Sequence, residues 1–435
     1  MNRTELPILA ESVPPTWKLE RLKHTVHIVV EKATGADQSL PYIGMEHVES
    51  WTGKILGMAE TMDDSMANIC RPGDVLFGKL RPYLAKVVMS EGTYRCTPEF
   101  LVLRAYRYQP TFLRYLLLSN AFIDLVNSST YGVKMPRASW DFIGEIRVPV
   151  PPADAQRSIS SFLDHETAKL DQLVEKKQRL IELLQEKRQA LITQAVTKGL
   201  DPNVPMKDSG IPWLGEVPAH WEIAKTSRVA ISIQTGPFGS QLHTEDYVDD
   251  GIPVINPSHL VDGDIVPDPT CAVSPVTKQR LIRHELMSGD IVFARRGEIG
   301  RCALVTEAEQ GFLCGTGCFR LRLDSQIVNP AFVVLLFSTP WMRDWLLIES
   351  VGSTMDNLNT QILSSTPLLI PPLTEQHRIV QRVSEISEAI RQATKKLEQQ
   401  AVLLSEYRQA LITAAVTGKI DVRQYSSDHA EVVSQ

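Results

Sequence analysis

The chain has 435 residues, 43% of them apolar and 22% charged, with a formal net charge of −6 at neutral pH. That length suits two or three domains with real cores, and no apolar run approaches the roughly 18 residues a membrane span needs. Met1 to Ser12 carries Arg3, Glu5 and Glu11 and no continuous apolar core, so a secretory signal is not expected and the cytoplasm is the expected compartment.

Taken in order, the elements repeat. Val13-Pro-Pro-Thr-Trp17 returns 204 residues later as Val217-Pro-Ala-His-Trp221. Pro41-Tyr-Ile-Gly44 and His47 return 212 later as Pro253-Val-Ile-Asn256 and His259. Gly73-Asp-Val-Leu-Phe77 returns 216 later as Gly289-Asp-Ile-Val-Phe293. From Pro110 and Pro330 onward the offset settles at 220, and Lys187-Arg-Gln-Ala-Leu-Ile-Thr193 is answered by Tyr407-Arg-Gln-Ala-Leu-Ile-Thr413. A growing offset that then freezes places insertions in the globular part of each repeat and fixes the length of its last part.

Within the first copy, Asp74–Phe77, Lys86–Met89, Phe100–Leu103 and Ile146–Val150 read as strands, and Phe112–Ser119 as a short helix after Pro110. The second copy offers Asp290–Phe293, Cys302–Val305, Phe319–Leu323 and the helix Phe332–Ser338. Each copy then runs into a long helix after Pro151-Pro152 or Pro371-Pro372, with Asp154 and Thr374 as the expected N-caps. Val383, Ile390, Leu397, Leu404 and Leu411 fall every seven residues, as do Leu163, Leu170, Leu184 and Leu191 with Lys177 interrupting. Leu173 and Leu180 are expected to fill the other seam position. Sustained heptads predict a coiled coil, and helices of this length reach roughly 60 Å at 1.5 Å per residue. Neither helix has a sequence neighbour long enough to cover its stripe. The two copies are therefore expected to pair antiparallel, the alternative being that each folds back on its own domain.

The resulting expectation is an α+β chain with a pseudo-two-fold repeat. Two mixed α/β domains, 13–150 and 219–370, are separated by two long antiparallel coiled-coil helices, 151–200 and 371–422, with a linker at 201–218 and a loose tail at 423–435.

Catalytic chemistry is not evident. Gly73-Asp-Val-Leu-Phe-Gly-Lys79 matches G-x-x-x-x-G-K, but Leu80 stands where a phosphate loop needs Ser or Thr, and the residues between the glycines read as a strand. Asn256-Pro257-Ser258-His259 is not the Asn-Pro-Pro-aromatic motif of an amino-methyltransferase, and no glycine-rich turn for S-adenosylmethionine accompanies it. Six cysteines in so long a chain make no disulfide framework, and the close pair Cys314 and Cys318 lacks further ligands at zinc spacing, so no metal is expected. Charge is segregated, however. Between Arg71 and Arg147 there are 11 Lys/Arg against 6 Asp/Glu, a basic surface on an acidic protein.

The order of these motifs resembles the specificity subunits of type I restriction–modification enzymes. The resemblance rests on Leu40-Pro-Tyr-Ile-Gly-Met-Glu-His47, Gly73-Asp-Val-Leu-Phe-Gly-Lys-Leu-Arg-Pro82, Thr235-Gly-Pro-Phe-Gly-Ser240, the Pro-Pro-x-x-x-Gln helix starts and the twin Arg-Gln-Ala-Leu-Ile-Thr segments, spanning about residues 13 to 422. It implies two target-recognition domains that each read half of a split, asymmetric site on double-stranded DNA. The helices would set the half-site spacing and dock two methyltransferase subunits. Those partners would carry S-adenosylmethionine, this chain holding no cofactor, and a separate motor-nuclease subunit would cut unmodified DNA. Two rival readings stay open, a two-headed protein-binding adaptor and a self-contained adenine methyltransferase.

DNA-contacting candidates follow from residue type and repeat position. Lys79, Arg81 and Lys86 with Tyr83 suit phosphate and base edges, and Lys134 and Arg137 lie in the loop from Tyr131. The matching loop of the second copy is amide-rich, with Thr354, Asn357 and Asn359, as two readers of different targets require, since Arg and Lys suit guanine and Asn suits adenine. Arg295 and Arg296 occupy the counterpart of the Lys79 stretch. Gln234, Phe238, Ser240 and His243 belong to a loop whose Gly236 and Gly239 permit a close backbone approach or simply make a turn.

Overall fold

The computed structural model describes residues 13–34, 37–59, 67–130, 132, 134–211, 214–238, 241–295, 297, 300–350 and 358–422. Two compact units emerge, one of Met1–Arg179 with Leu397–Gln435 and one of Leu180–Lys396, so the division falls inside each long helix.

The first unit is built on a four-stranded antiparallel sheet in the order Val26–Ile28, Phe100–Ala105, Val75–Gly78, Val87–Met89. Its central strand is apolar at consecutive positions because both faces are covered. Val75 and Phe77 point into a core shared with the helices Pro110–Leu118 and Asn120–Ser128. Leu76 points the other way, with Val88, Phe100 and Val102, onto a small sheet formed by Tyr42–Ile43, Tyr94–Cys96 and Asn68–Cys70. The period of two thus sorts one strand's side chains into two cores. The second unit repeats this plan with Ala230–Thr235, Cys318–Leu323, Ile291–Ala294 and Cys302–Leu304 in the same order. Ile291 and Phe293 face its helices Pro330–Phe337 and Pro340–Ser350, while Val292 and Ala294 face the second core.

The repeated Gly-Asp turns explain themselves in this frame. Gly73 and Gly289 adopt left-handed φ of 87° and 89°, which only glycine takes without strain. Asp74 and Asp290, each 1% exposed, accept the backbone N–H of Arg71 and Met287 at 2.9 and 2.8 Å. Each carboxylate is held in a two-pronged ion pair, by Arg104 at 2.7 and 2.8 Å and by Arg322 at 2.7 Å twice. Buried charge is tolerated here because it is paired and fully hydrogen-bonded.

The Pro-Pro-x-x-x-Gln starts weld each long helix to its own domain. Gln156 Oε1 accepts the Gln109 N–H at 2.7 Å, and its Nε2 donates to the carbonyls of Pro151 and Arg107 at 2.9 and 3.1 Å. Gln376 does the same with Asn329, Pro371 and Ile327 at 2.7, 2.8 and 3.1 Å. The helices span Ala153–Lys198 and Leu373–Val416. Asp154 and Thr374 therefore lie in the first turn and not at the cap, a correction to the expected N-caps. The prolines already lack one of the N–H groups a cap would satisfy, and the helix starts directly behind them. At the far ends Gly199 and Gly418 both take φ of 76°, the usual left-handed stop.

Antiparallel pairing is visible inside each unit. In the first, Arg408 meets Asp171 at 2.9 Å and Lys177 meets Gln400 at 2.6 Å, so one helix rises as the other falls. In the second, Arg188 meets Ser387 at 3.2 Å, and Ile192 and Val196 share a core with Ile379 and Val383. Both expected arrangements contribute, since Ile159 and Leu163 of the first helix also pack into their own domain's core, beside Ile412 and Val416 of the second.

The seam itself needs a correction. Leu173 and Leu180 are each 45% exposed. The buried or half-buried positions complementing Leu163, Leu170, Lys177 and Leu184 are Thr167, Val174, Ile181, Arg188 and Ala195. The leucine series is the d position of the heptad, and its companion a position comes four residues later, not three. Two further features escaped the sequence pattern. Each domain carries a second helix directly after the anticipated one, Asn120–Ser128 and Pro340–Ser350. The segment 201–218 contains a hairpin that pairs Met206–Asp208 with Glu216–Pro218. No single helix among the described residues is long and apolar enough to cross a membrane.

Candidate nucleic-acid interface

In the first unit the central strand ends at Gly78, and the chain that follows is tied down on both sides. Lys79 N–H donates to Glu99 O at 2.9 Å and Lys79 O accepts Ala138 N–H at 3.0 Å, while Arg81 N–H donates to Pro136 O at 2.8 Å. These bonds lay the Lys79–Tyr83 stretch against the loop ending in Arg137, so residues more than fifty apart in sequence share one edge. Arg81 and Ala85 take left-handed φ of 51° and 44° on either side of the single helical turn Pro82–Leu84. Two non-glycine residues in that region are a local strain. Here it turns Tyr83 outward, where it is 44% exposed.

Electrostatics at this edge are mixed. Arg137 donates to Glu99 Oε1 at 2.6 Å. Burial holds the Lys79 ammonium below its ordinary pKa, with Glu99 opposing the shift and the charges of Arg137 and Lys32 adding to it. A cationic group whose charged form is already disfavoured gains from an approaching phosphate. Lys134 is exposed in the same loop. Lys86 is less available, because its Nζ donates to Met45 O at 2.6 Å.

The second unit repeats the backbone frame with different side chains. Arg295 N–H donates to Gly317 O at 2.9 Å and Arg295 O accepts Leu358 N–H at 3.1 Å, the counterparts of the two Lys79 bonds. Its guanidinium lies over the Phe319 ring, 5.1 Å from the centroid. Arg296, Ser240, Thr354 and Asn357 lie outside the described residues. Asn359 caps the helix Thr360–Ser365, its Oδ1 accepting N–H groups of Gln361 and Ile362 at 2.9 and 2.8 Å, so its amide oxygen is already in use.

The loop after Thr235 is held from beneath. Gln234 Oε1 accepts from Arg320, whose other nitrogen donates to Arg283 O and Glu285 O at 3.2 and 2.7 Å. Arg280 Nη1 donates to Gln241 O at 2.9 Å and Nη2 to Asp246 at 2.5 Å. The His243 N–H and the Arg280 charge hold the Asp246 carboxyl below its ordinary range. Phe238 is 59% exposed and His243 is exposed, so this loop presents an aromatic and an imidazole. A Cβ on Gly236 would sit 1.8 Å from Gly315 O, so that glycine admits the chain's own backbone. Arg280 and Arg320 were missed by sequence reasoning. Nothing local distinguishes a supporting arginine from a contacting one.

Other chemistry reads as structural. His259, Asp268 and Cys271 place ligand-type atoms within 4.8 Å of one another. His259 Nδ1, however, faces Asn256 N–H at 3.3 Å, closing the same turn that His47 closes on Gly44 at 2.9 Å. Burial pushes the Cys302 and Cys318 thiols up to about 12, away from thiolate reactivity.

Residues 221–400 match the family model of the type I restriction modification DNA specificity domain. Over 429 residues the chain is 21% identical to the type I restriction enzyme MjaVIII specificity subunit of Methanocaldococcus jannaschii, covering 94% of each. It is 22% identical over 332 residues to the EcoBI specificity subunit of Escherichia coli, covering 75% of this chain and 69% of that one. Among solved structures, a chain from work on assembly and conformational transition of the type I R-M system superposes with TM-score 0.69 at 21% identity, covering 94% of this chain and 99% of that one. The HsdS subunit from Thermoanaerobacter tengcongensis gives 0.53 at 19%, covering 94% and 98%. These structural likenesses establish the fold.

Proposed function

We propose that the chain is a specificity subunit of a type I restriction–modification system, the reading that the match of residues 221–400 and the likeness to such subunits support, and that its parts divide the work as follows. Each globular domain reads one half of a bipartite, asymmetric sequence on double-stranded DNA. The paired helices hold the half-site spacing and provide the dock for two methyltransferase subunits. Those partners bring S-adenosylmethionine and methylate adenine, and a motor-nuclease subunit joins the full cytoplasmic complex. This chain supplies recognition and positioning and no chemistry of its own, since a base to be methylated must be extruded into the partner's pocket.

One observation carries the reading. The same backbone frame ends each central strand, yet its side chains differ, with Lys79, Arg81 and Arg137 in one copy and Arg295 over Phe319 in the other. A shared scaffold with unlike edges is what two readers of unlike half-sites require. Mapping methylated adenines genome-wide, in cells with and without the chain, tests it. Methylation at one bipartite motif should vanish with the chain. An unchanged pattern would refute the assignment. Measurable binding of S-adenosylmethionine to the isolated chain would instead favour a self-contained methyltransferase.

A further inference from the structure

The duplicated Arg-Gln pair of the two long helices makes different bonds in the two units. In the first, the Arg408 side chain is 7% exposed and donates in three directions, to Asp171 Oδ1 at 2.9 Å, Trp51 O at 2.8 Å and Thr52 O at 3.1 Å. Gln409 Nε2 adds a bond to Trp51 O at 3.0 Å. Lys54 takes the other Asp171 oxygen at 2.7 Å. These residues bind the tip of the hairpin closed by Val48 and Ile55 to both helices at once. The tip is shaped for this, with Trp51 and Gly53 at left-handed φ of 67° and 78°. A rigid guanidinium fork whose charge is neutralised by one carboxylate and shared between two carbonyls is a strong, directional tie.

In the second unit Arg188 donates to Ser387 Oγ at 3.2 Å and Gln189 to Ser338 O at 3.1 Å. The residue 220 beyond Asp171 is Arg391, itself taken by Glu388 at 2.8 Å twice. The corresponding hairpin pairs Leu260 with Ile265, two residues shorter than its counterpart, and turns on Asp262 and Gly263. The carboxylate that completes the first clamp is thus replaced by a like charge in the second.

We propose that Arg408 is a positioning residue that locks the first domain's hairpin to the helix pair, and that the second domain has no equivalent lock among the described residues. Resting on the division of labour proposed above, the consequence is asymmetric. The first half-site is read in fixed register with the spacer, and its register depends on one arginine.

Two measurements on the full-length chain test this. Hydrogen exchange comes first. Arg408→Gln should speed exchange of the Glu49 and Trp51 amides about tenfold or more, with Leu260–Ile265 unchanged, whereas Arg188→Gln should move neither hairpin. Unchanged exchange in Arg408→Gln, or equal loosening by Arg188→Gln, overturns the lock. The second is methylation by the complex reconstituted with its methyltransferase subunits, on duplexes whose half-sites are moved apart or together by one base pair. Arg408→Gln should accept altered spacing that the wild type rejects. A loosened hairpin with wild-type spacing discrimination overturns the positioning role and leaves the reading proposal standing. Failure of the wild-type complex to methylate any bipartite duplex refutes the reading proposal itself. Should Arg408→Gln not fold, Arg408→Lys, which keeps the charge but not the fork, carries both measurements.

Discussion

Gln156 is the point where sequence, packing and function meet most closely, and its removal gives a quantitative prediction. Truncation to Ala deletes three hydrogen bonds, at 2.7, 2.9 and 3.1 Å, in a site that is 3% exposed. It leaves the Gln109 N–H and the carbonyls of Pro151 and Arg107 without that partner. At a net of about 1 kcal/mol per bond, the loss is about 3 kcal/mol for the first unit. Gln376→Ala should destabilise the second unit by the same amount, because its three bonds of 2.7, 2.8 and 3.1 Å are nearly the same. The isosteric Gln156→Glu keeps the acceptor facing Gln109 but aims a second oxygen at two carbonyls, so it should not rescue. Two units need not unfold together, so the assay is hydrogen exchange resolved by segment under native conditions, with the exposed Gln185→Ala as a control expected within about 0.5 kcal/mol of wild type. A Gln156→Ala protein as stable as the control, or a Glu variant as stable as wild type, would sink the claim that this amide welds helix to domain.

The two helix-stopping glycines should respond unequally to Ala. Gly418→Ala places a Cβ 2.4 Å from Pro14 and should lower the first unit's melting temperature more than Gly199→Ala lowers the second's, where the nearest atom is the flexible end of Glu375 at 3.1 Å. At the edge proposed to meet DNA, replacing Lys79 and Arg137 together should weaken binding and reduce the slope of log affinity against log salt by about 0.9 for each phosphate left unneutralised. Lys86→Ala should change that slope less, because its ammonium is already bonded to Met45 O. Titration of a duplex at several salt concentrations reads both. Inserting one heptad into each long helix keeps the seam in register and should change the half-site spacing in sequenced methylation maps without altering either half-site. New half-site sequences would contradict the spacer role.

Much of this architecture was legible because the repeat doubles every signal. Gln156 and Gln376, or Gly73-Asp74 and Gly289-Asp290, stand out as pairs before their bonds are known. Strands buried on both faces announce themselves as short apolar runs, as Val75–Phe77 and Ile291–Phe293 do. The parts that were not legible depend on bonds between residues far apart in sequence. Asn120–Ser128 was missed because the apolar run from Phe112 was taken to end at Ser119, whereas Ser119 breaks only one residue's worth of helical geometry before the next helix begins. The heptad gave the period but not which leucines face the partner, since Leu173 and Leu180 satisfy the same spacing on the outer side. Among the DNA candidates, side chains already in use cannot be told from free ones by residue type. Asn359 is a helix cap and Gln234 a receptor for Arg320, and only the fold separates them from Lys134 or Phe238. Arg408 and Arg188 share the Gln-Ala-Leu-Ile-Thr run that follows them and differ in what faces them, Asp171 with the Trp51 and Thr52 carbonyls in one case, and Ser387 with Arg391 at the position matching Asp171 in the other.

The central claim is that two independent readers share one spacer. Its most direct test is to exchange residues 13–150 for the matching domain of a relative with a different target, express the chimera with the methyltransferase subunits, and sequence the methylated sites. One half-site should change to the donor's sequence while the other half-site keeps the original. A chimera that alters both half-sites, or neither, would contradict it.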